Sequence, residues 1–153
     1  MSLDCELIID PDVDFDQPAQ LVELIEHAAE SESFLTSGHW QMSLRLCRDY
    51  AIADLHERFF NDPTPTDVIT FPSGDEPDEN GAYLGDVVVS VETAADQATD
   101  GNHSVAREVA FLSLHGLLHL CGYDDTTTME RDAMHHRQLM LLETWERERG
   151  RPW

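Results

Sequence analysis

The sequence predicts a single α+β domain in which a mixed sheet of about four strands packs with helices. Its 153 residues, 41% of them hydrophobic, are enough for one core and too few for two ordinary ones. Strand-like runs and helix-like segments are interspersed along the chain, which is typical of mixed α/β and α+β proteins. We therefore expect residues 1–153 to form one domain.

Two predicted strands and two predicted helices occupy the first half of the chain, in the order Leu3–Ile9, Gln17–Glu30, Trp40–Leu46 and Ala51–Phe60. The strands show β-branched or alternating apolar residues, and the helices have apolar residues on one face. Asp16 and Asp49 are the predicted N-caps, because a short acidic side chain accepts hydrogen bonds from the first helical turn.

The second half predicts two short strands followed by two long helices, in the order Val68–Phe71, Val87–Val91, Ser104–Leu120 and Met129–Arg149. Ser104 is the predicted N-cap of the first long helix, and Gly122 lies just past its end. Thr127 and Glu130 have the spacing of a capping box at the start of the second. The polar segment 73–81 between the two strands is predicted to be a surface loop.

Net charge is the most unusual bulk property. The chain carries 31 acidic residues against nine basic ones, all nine of them arginine, for a formal charge of −22. A surface of this sign repels polyanions at long range, so a nucleic-acid function requires local positive charge. No apolar run is long enough to span a bilayer, and the three cysteines are too few for a disulfide framework. We expect a cytoplasmic protein without a membrane partner.

The segment HGLLHLCGYDD, from His115 to Asp125, predicts a metal site. His115 and His119 are four residues apart, which places both imidazoles on one face of a helix. Gly122 permits a sharp reversal of the chain that would return Asp125 to the same point. Two imidazoles and one carboxylate form a three-ligand zinc site with a fourth position open for water.

The alternative interpretation is a solvated histidine pair at a helix end. We favour metal binding because Val105, Val109 and Leu112 make this a core helix, and buried imidazoles cost free energy unless something pairs with them.

Zinc peptidases with this ligand spacing place a glutamate directly after the first histidine, as general base. This chain has Gly116 at that position. Peptide hydrolysis would therefore need another proton acceptor. A zinc metallopeptidase-like hydrolase is kept as an alternative function.

The same segment resembles the YbeY family of bacterial endoribonucleases, whose signature is His-Gly-x-Leu-His-Leu-x-Gly-Tyr-Asp-His. The match runs through Asp124 and ends at Asp125, where the family has a third histidine. The segments PTDVITFP at 65–72 and LGDVVV at 84–89 resemble two further family motifs in the expected order. The resemblance extends over roughly Leu44 to Leu142.

The resemblance implies a single zinc ion near the C-terminal end of the core helix, with His115 and His119 as ligands and Asp125 in the third place by position. It implies a single-strand-specific endoribonuclease that acts in the maturation of the 3′ end of 16S ribosomal RNA and in ribosome quality control. The implied partners are ribosomal RNA and the small ribosomal subunit or its assembly proteins.

A second departure from the family concerns a catalytic arginine. The resemblance places that arginine at position 60, where this chain has Phe60. Because phosphodiester cleavage benefits from a cation near the developing charge, Arg58 is the candidate replacement, with Arg45 and Arg48 as others. Asp124 is the second candidate catalytic residue, as a proton acceptor or as an orienting group for a ligand. The loss of the arginine also motivates a third hypothesis, a non-catalytic ribosome assembly factor with structural zinc.

Overall fold

A computed structural model describes residues 2–32, 38–76 and 81–153 of the chain. Its elements are β1 (Ser2–Ile9), α1 (Pro18–Glu30), β2 (His39–Cys47), α2 (Asp49–Phe60), β3 (Val68–Pro72), β4 (Ala82–Ser90), α3 (Val91–Gly101), α4 (Val105–Leu120) and α5 (Thr128–Arg149). Residues 77–80 of the predicted loop lie outside the described residues.

The four strands form one mixed sheet in the order β1-β2-β4-β3, which confirms the predicted fold class. The β1–β2 and β2–β4 pairs are parallel, and β3 pairs with β4 in the antiparallel sense. The strand β3 therefore forms one edge of the sheet, and the start of this strand lies beside His115, His119 and Asp125.

Helix α4 packs against β3 and β4 and is the centre of the main core. The helix lies close to the sheet at Gly116, where an added Cβ would lie 2.3 Å from Cγ1 of Val87. Side chains alternate across a strand, so Val88 points to the opposite face of the sheet. There it packs with Ile52 of α2 in a second, smaller cluster.

Helix α3 was not predicted from the sequence. Its buried residues include only Ala94 and Ala98, so it lacks the large apolar stripe that marks the other helices. Ser90 caps it by accepting a hydrogen bond from the amide of Thr93, and Val91 belongs to the helix rather than to the preceding strand. The strand predicted at Val87–Val91 instead runs from Ala82 to Ser90.

Two of the predicted N-caps are wrong. Helix α1 begins after Gln17, whose side chain makes no capping bond, and Pro18 occupies the first helical position. Asp49 is the first residue of α2 rather than its cap, and its carboxylate accepts hydrogen bonds from the hydroxyls of Ser90 and Thr93. The caps at Ser104 and Thr127, the latter with a complete capping box, are confirmed.

Within residues 2–32, 38–76 and 81–153, no helix has both the length and the apolar character needed to cross a membrane.

Candidate metal centre

The turn after α4 brings Asp125 back to the helix. Gly122 has a φ of +102°, a left-handed conformation that favours glycine, and its amide donates to the carbonyl of His119. The amide of Tyr123 donates to the carbonyl of Leu118, which completes a glycine-dependent helix end. The chain reversal expected at Gly122 therefore places Asp125 beside the two histidines.

Three acceptor atoms converge at this point. Nε2 of His119 lies 3.0 Å from Nε2 of His115 and 3.2 Å from Oδ2 of Asp125. The distance from Nε2 of His115 to the same carboxylate oxygen is 3.6 Å. The two rings are nearly perpendicular, at 78°, and about a fifth to a quarter of each histidine side chain is exposed.

Hydrogen bonds on the far side of each ring determine which nitrogen carries the proton. Nδ1 of His119 lies 3.0 Å from the carbonyl oxygen of Tyr123, which can only accept, so Nδ1 is the donor. Nδ1 of His115 lies 3.0 Å from Oε1 of Gln138. The amide nitrogen of Gln138 donates to the carbonyl of Phe111 at 3.2 Å, which leaves Oε1 facing the ring as an acceptor.

In the neutral histidines, both Nε2 atoms are therefore lone-pair acceptors. Two acceptors 3.0 Å apart, with a carboxylate oxygen beside them, repel one another unless a cation lies between them. Tetrahedral zinc at about 2.0–2.1 Å from each donor separates two donors by roughly 3.3 Å. His115, His119 and Asp125 thus fit a metal ion by donor type, by spacing and by protonation.

The turn itself is tied to a buried ion pair. The hydroxyl of Tyr123 donates to Glu32 at 3.0 Å, and Arg137 donates to the other carboxylate oxygen at 2.9 Å. Burial, followed by the hydrogen bond to Glu32, raises the pKa of Tyr123 above its ordinary value. Because the carbonyl of Tyr123 orients His119, this network connects α5 and the segment after α1 to the position of the His119 ring.

Two clefts open beside the three donors. The first has a volume of about 350 Å³ and is lined by His115, His119 and Asp125 together with Phe60, His56 and the start of β3. The second, of about 250 Å³, lies between α4 and α5 and shares His115, Asp125 and Asp67 with the first. The three donor side chains are thus accessible from solvent on two sides.

The position that holds the general base in zinc peptidases has no room for a side chain in this protein. Gly116 faces β4, and even a Cβ there would overlap Val87. A glutamate at this position would point into the sheet and would displace the helix that carries both histidines. The absence of a glutamate at position 116 is therefore a requirement of the close packing between α4 and β4.

The structure does not bring Arg58 to the clefts. Its guanidinium lies 3.1 Å from Asp54 and is largely exposed, on a different side of α2 from Phe60. Residues that are two positions apart on a helix point about 200° apart around its axis, which explains why Arg58 and Phe60 lie on different sides. Arg45 and Arg48, the other candidates, are ion-paired with Asp10 and Glu92.

Asp124 lies in the turn beside Asp125 and is exposed. No hydrogen bond or ion pair joins it to the rest of the described chain. Its role as a proton acceptor stays a prediction from the sequence.

Two residues of this site were missed by sequence analysis. Gln138 is 2% exposed and lies on the apolar face of α5, between Met134 and Leu142. A polar residue at a core position of an amphipathic helix is the signal that could have found it. Arg131 lines the second cleft and donates to the carbonyls of Asp125 and Thr126.

Comparison with protein families matches the model described as endoribonuclease YbeY over residues 10–146. Curated relatives named endoribonuclease YbeY include those of Mycolicibacterium paratuberculosis, 42% identical over 113 residues, and Rhodococcus erythropolis, 41% identical over 113 residues. Each alignment covers 69% of this chain. The chain spans 64% of the first relative's length and 63% of the second's.

Among solved structures, the solution structure of TM1509 from Thermotoga maritima has a similar fold, with a TM-score of 0.60. The similarity covers 94% of this chain and 90% of that one, at 22% sequence identity. At this identity the likeness concerns the fold alone.

Proposed function

Since the chain belongs to the endoribonuclease YbeY family, we propose that it is a zinc-dependent endoribonuclease that cleaves single-stranded RNA. The proposal includes the finer role of that family, the maturation of the 3′ end of 16S ribosomal RNA and ribosome quality control. The proposed partners are ribosomal RNA and the small ribosomal subunit or its assembly proteins, in the cytoplasm.

One observation carries this proposal: three acceptor atoms from His115, His119 and Asp125 meet at the junction of two open clefts, with both histidine tautomers set by hydrogen bonds. A zinc ion held there would act as a Lewis acid and would lower the pKa of a coordinated water to about 7. The chain contributes three donors, which is the number found in catalytic rather than structural zinc sites.

Arg131 is the proposed cation for the phosphate. It donates to backbone carbonyls and to the hydroxyl of Thr128, and in the part of the chain that the structure describes it forms no ion pair with a carboxylate. It lines the cleft that His115 and Asp125 share. A planar guanidinium with free N–H groups matches the geometry of phosphate oxygens.

The proposal is tested by incubating the purified, zinc-loaded protein with single-stranded RNA and with a duplex of the same sequence. We expect cleavage of the single strand, with no cleavage by His119→Ala. If the circular dichroism spectrum of His119→Ala matches that of the wild type, the loss of cleavage comes from the site and not from unfolding. The proposal is wrong if the wild-type protein leaves the single strand intact or if His119→Ala cuts it equally well.

The non-catalytic assembly factor is the second candidate, because the surface carries a net charge of −22 and Phe60 stands where the family arginine is expected. It predicts that His119→Ala loses metal while association with the small subunit persists and no RNA is cut by either protein. The peptidase alternative is opposed by the packing at Gly116, which leaves no room for the usual base.

A further inference from the structure

We infer that Phe60 is a stacking platform for one nucleobase of the RNA strand, next to the scissile phosphate; this inference rests on the proposed function. It assigns a binding role to a residue that the metal chemistry does not use. The inference rests on the exposure of the ring, its place in the cleft of the three donors and the scarcity of positive charge outside ion pairs.

Phe60 is 55% exposed although phenylalanine usually lies in a core. It ends α2 and lines the same cleft as His115, His119 and Asp125. Its ring is 5.9 Å from that of His56 and 6.3 Å from that of Phe71. His56 lines the same cleft, and the Phe60 ring stays more than half exposed beside these two neighbours.

Charge explains why stacking would be needed here. Proteins usually hold RNA by pairing lysine and arginine with phosphates, and this chain has no lysine and nine arginines. Five of the nine are already ion-paired with carboxylates: Arg45, Arg48, Arg58, Arg107 and Arg137. Nucleobases are the uncharged part of the strand, and stacking on an aromatic ring is tolerant of sequence.

The requirement for a single strand follows from the same contact. A base must leave its helical stack to lie on a protein ring, which costs little free energy in a single strand and much more in a duplex, where a base pair must also open. Phe60 would therefore place an unstacked nucleotide beside the metal donors.

The neighbouring Phe59 provides a matched control. It is 62% exposed, so its truncation changes a similar amount of surface. Its ring packs edge-on against Phe71 at 4.9 Å and lines a separate apolar hollow with Ile8 and Leu55. It does not line the metal cleft.

The experiment measures the dissociation constant of a fluorescently labelled 2′-O-methyl oligouridine, checked by gel to remain intact, for Phe60→Ala, Phe60→Leu, Phe60→Tyr and Phe59→Ala. We expect Phe60→Ala and Phe60→Leu to bind about 5- to 150-fold more weakly, the range that corresponds to stacking of one base. Phe60→Tyr and Phe59→Ala should bind as the wild type does. An abasic strand should bind all five proteins equally.

Because Phe60 is exposed, all variants are expected to melt near the wild-type temperature, which circular dichroism checks. The inference is wrong if Phe60→Leu binds the oligouridine as tightly as the wild type does. It is also wrong if that variant keeps RNA binding but loses association with the small ribosomal subunit, since the ring would then contact protein.

Failure of the proposed function is distinct, because it would appear as a zinc-loaded wild-type protein that leaves single-stranded RNA uncut, whatever its affinity for the oligouridine. Wild-type cleavage accompanied by unchanged RNA binding in Phe60→Leu would overturn the stacking inference alone.

Discussion

Single residues around His115 and His119 determine which ring nitrogens of these histidines are available to bind a metal ion. Gln138 and the carbonyl of Tyr123 each accept the Nδ1 proton of one histidine, and this leaves both Nε2 atoms free to coordinate. Gln138 is itself oriented by the carbonyl of Phe111, so the chain of hydrogen bonds ends on helix backbone.

We therefore expect Gln138→Leu to weaken zinc affinity by about 10- to 100-fold, the usual effect of removing a residue that orients a metal-bound histidine. The measurement is a competition titration against a chromophoric zinc chelator. Gln138→Glu, which keeps an oxygen acceptor, should retain most of the affinity. Equal affinity of Gln138→Leu and the wild type would show that the tautomer of His115 is fixed in another way.

The proposed role of Arg131 as the phosphate-binding cation is also tested at this scale. We expect Arg131→Gln to lower the rate of RNA cleavage on the order of 10²-fold, because a donor aimed at developing charge is lost. Arg58→Gln, which removes an exposed guanidinium paired with Asp54, should change the rate little. Single-turnover kinetics with zinc-saturated protein measure both.

Arg131→Lys separates charge from geometry, since it keeps the cation without the planar fork. A purely structural role for Arg131 would show as weaker zinc binding in Arg131→Gln with a normal rate once zinc is saturating. A larger loss in Arg58→Gln than in Arg131→Gln would restore the arginine predicted from the sequence.

At the scale of elements, the contact between α4 and β4 sets the height of the metal helix above the sheet. Gly116 allows this contact, because the Val87 side chain occupies the space of the missing Cβ. Valine is stiff about χ1, so it cannot rotate away easily.

We expect Gly116→Ala to lower the free energy of unfolding by about 1–3 kcal/mol, as overpacking does, despite the better helix propensity of alanine. Urea denaturation measures this loss. The double variant Gly116→Ala with Val87→Ala should lose less stability than the two single variants lose in sum, because Val87→Ala removes the side chain that the new Cβ overlaps. Strict additivity would mean that the two residues do not compete for space.

At the scale of the whole molecule, the net charge of −22 is the property with the widest effect on stability. Self-repulsion of a highly charged surface opposes compaction, and salt screens it with a Debye length that falls from about 30 Å at 0.01 M to about 8 Å at 0.15 M. Ion pairs such as Arg107–Glu146 and Arg137–Glu32 offset only part of this repulsion.

The melting temperature is therefore expected to rise as sodium chloride is increased from low to physiological concentration, measured by differential scanning calorimetry. A variant carrying Asp96→Asn, Asp132→Asn and Glu143→Gln, all at exposed positions, should have a higher melting temperature at low salt. Its melting temperature should increase less than that of the wild type when salt is added. A melting temperature that is constant or falls with salt would contradict a destabilising role for the surface charge.

The sequence by itself determined the local features of this protein. The spacing of His115 and His119, the stop at Gly122 and the caps at Ser104 and Thr127 are encoded within a few residues of where they act. Most strands and long helices were found for the same reason, since periodicity reports which face of a segment is buried. Helix α3 was missed because Ala94 and Ala98 give a weak periodic signal.

Only the tertiary structure decided what meets the metal segment from elsewhere in the chain. Gln138 reaches His115 across 23 residues of sequence, and Phe60 lines the metal cleft although it ends a helix on the other face of the sheet. The antiparallel pairing of β3 at the sheet edge likewise depends on the packing of several elements together. Such contacts are set by how buried surfaces fit, and periodicity within one segment carries no information about its partner in space.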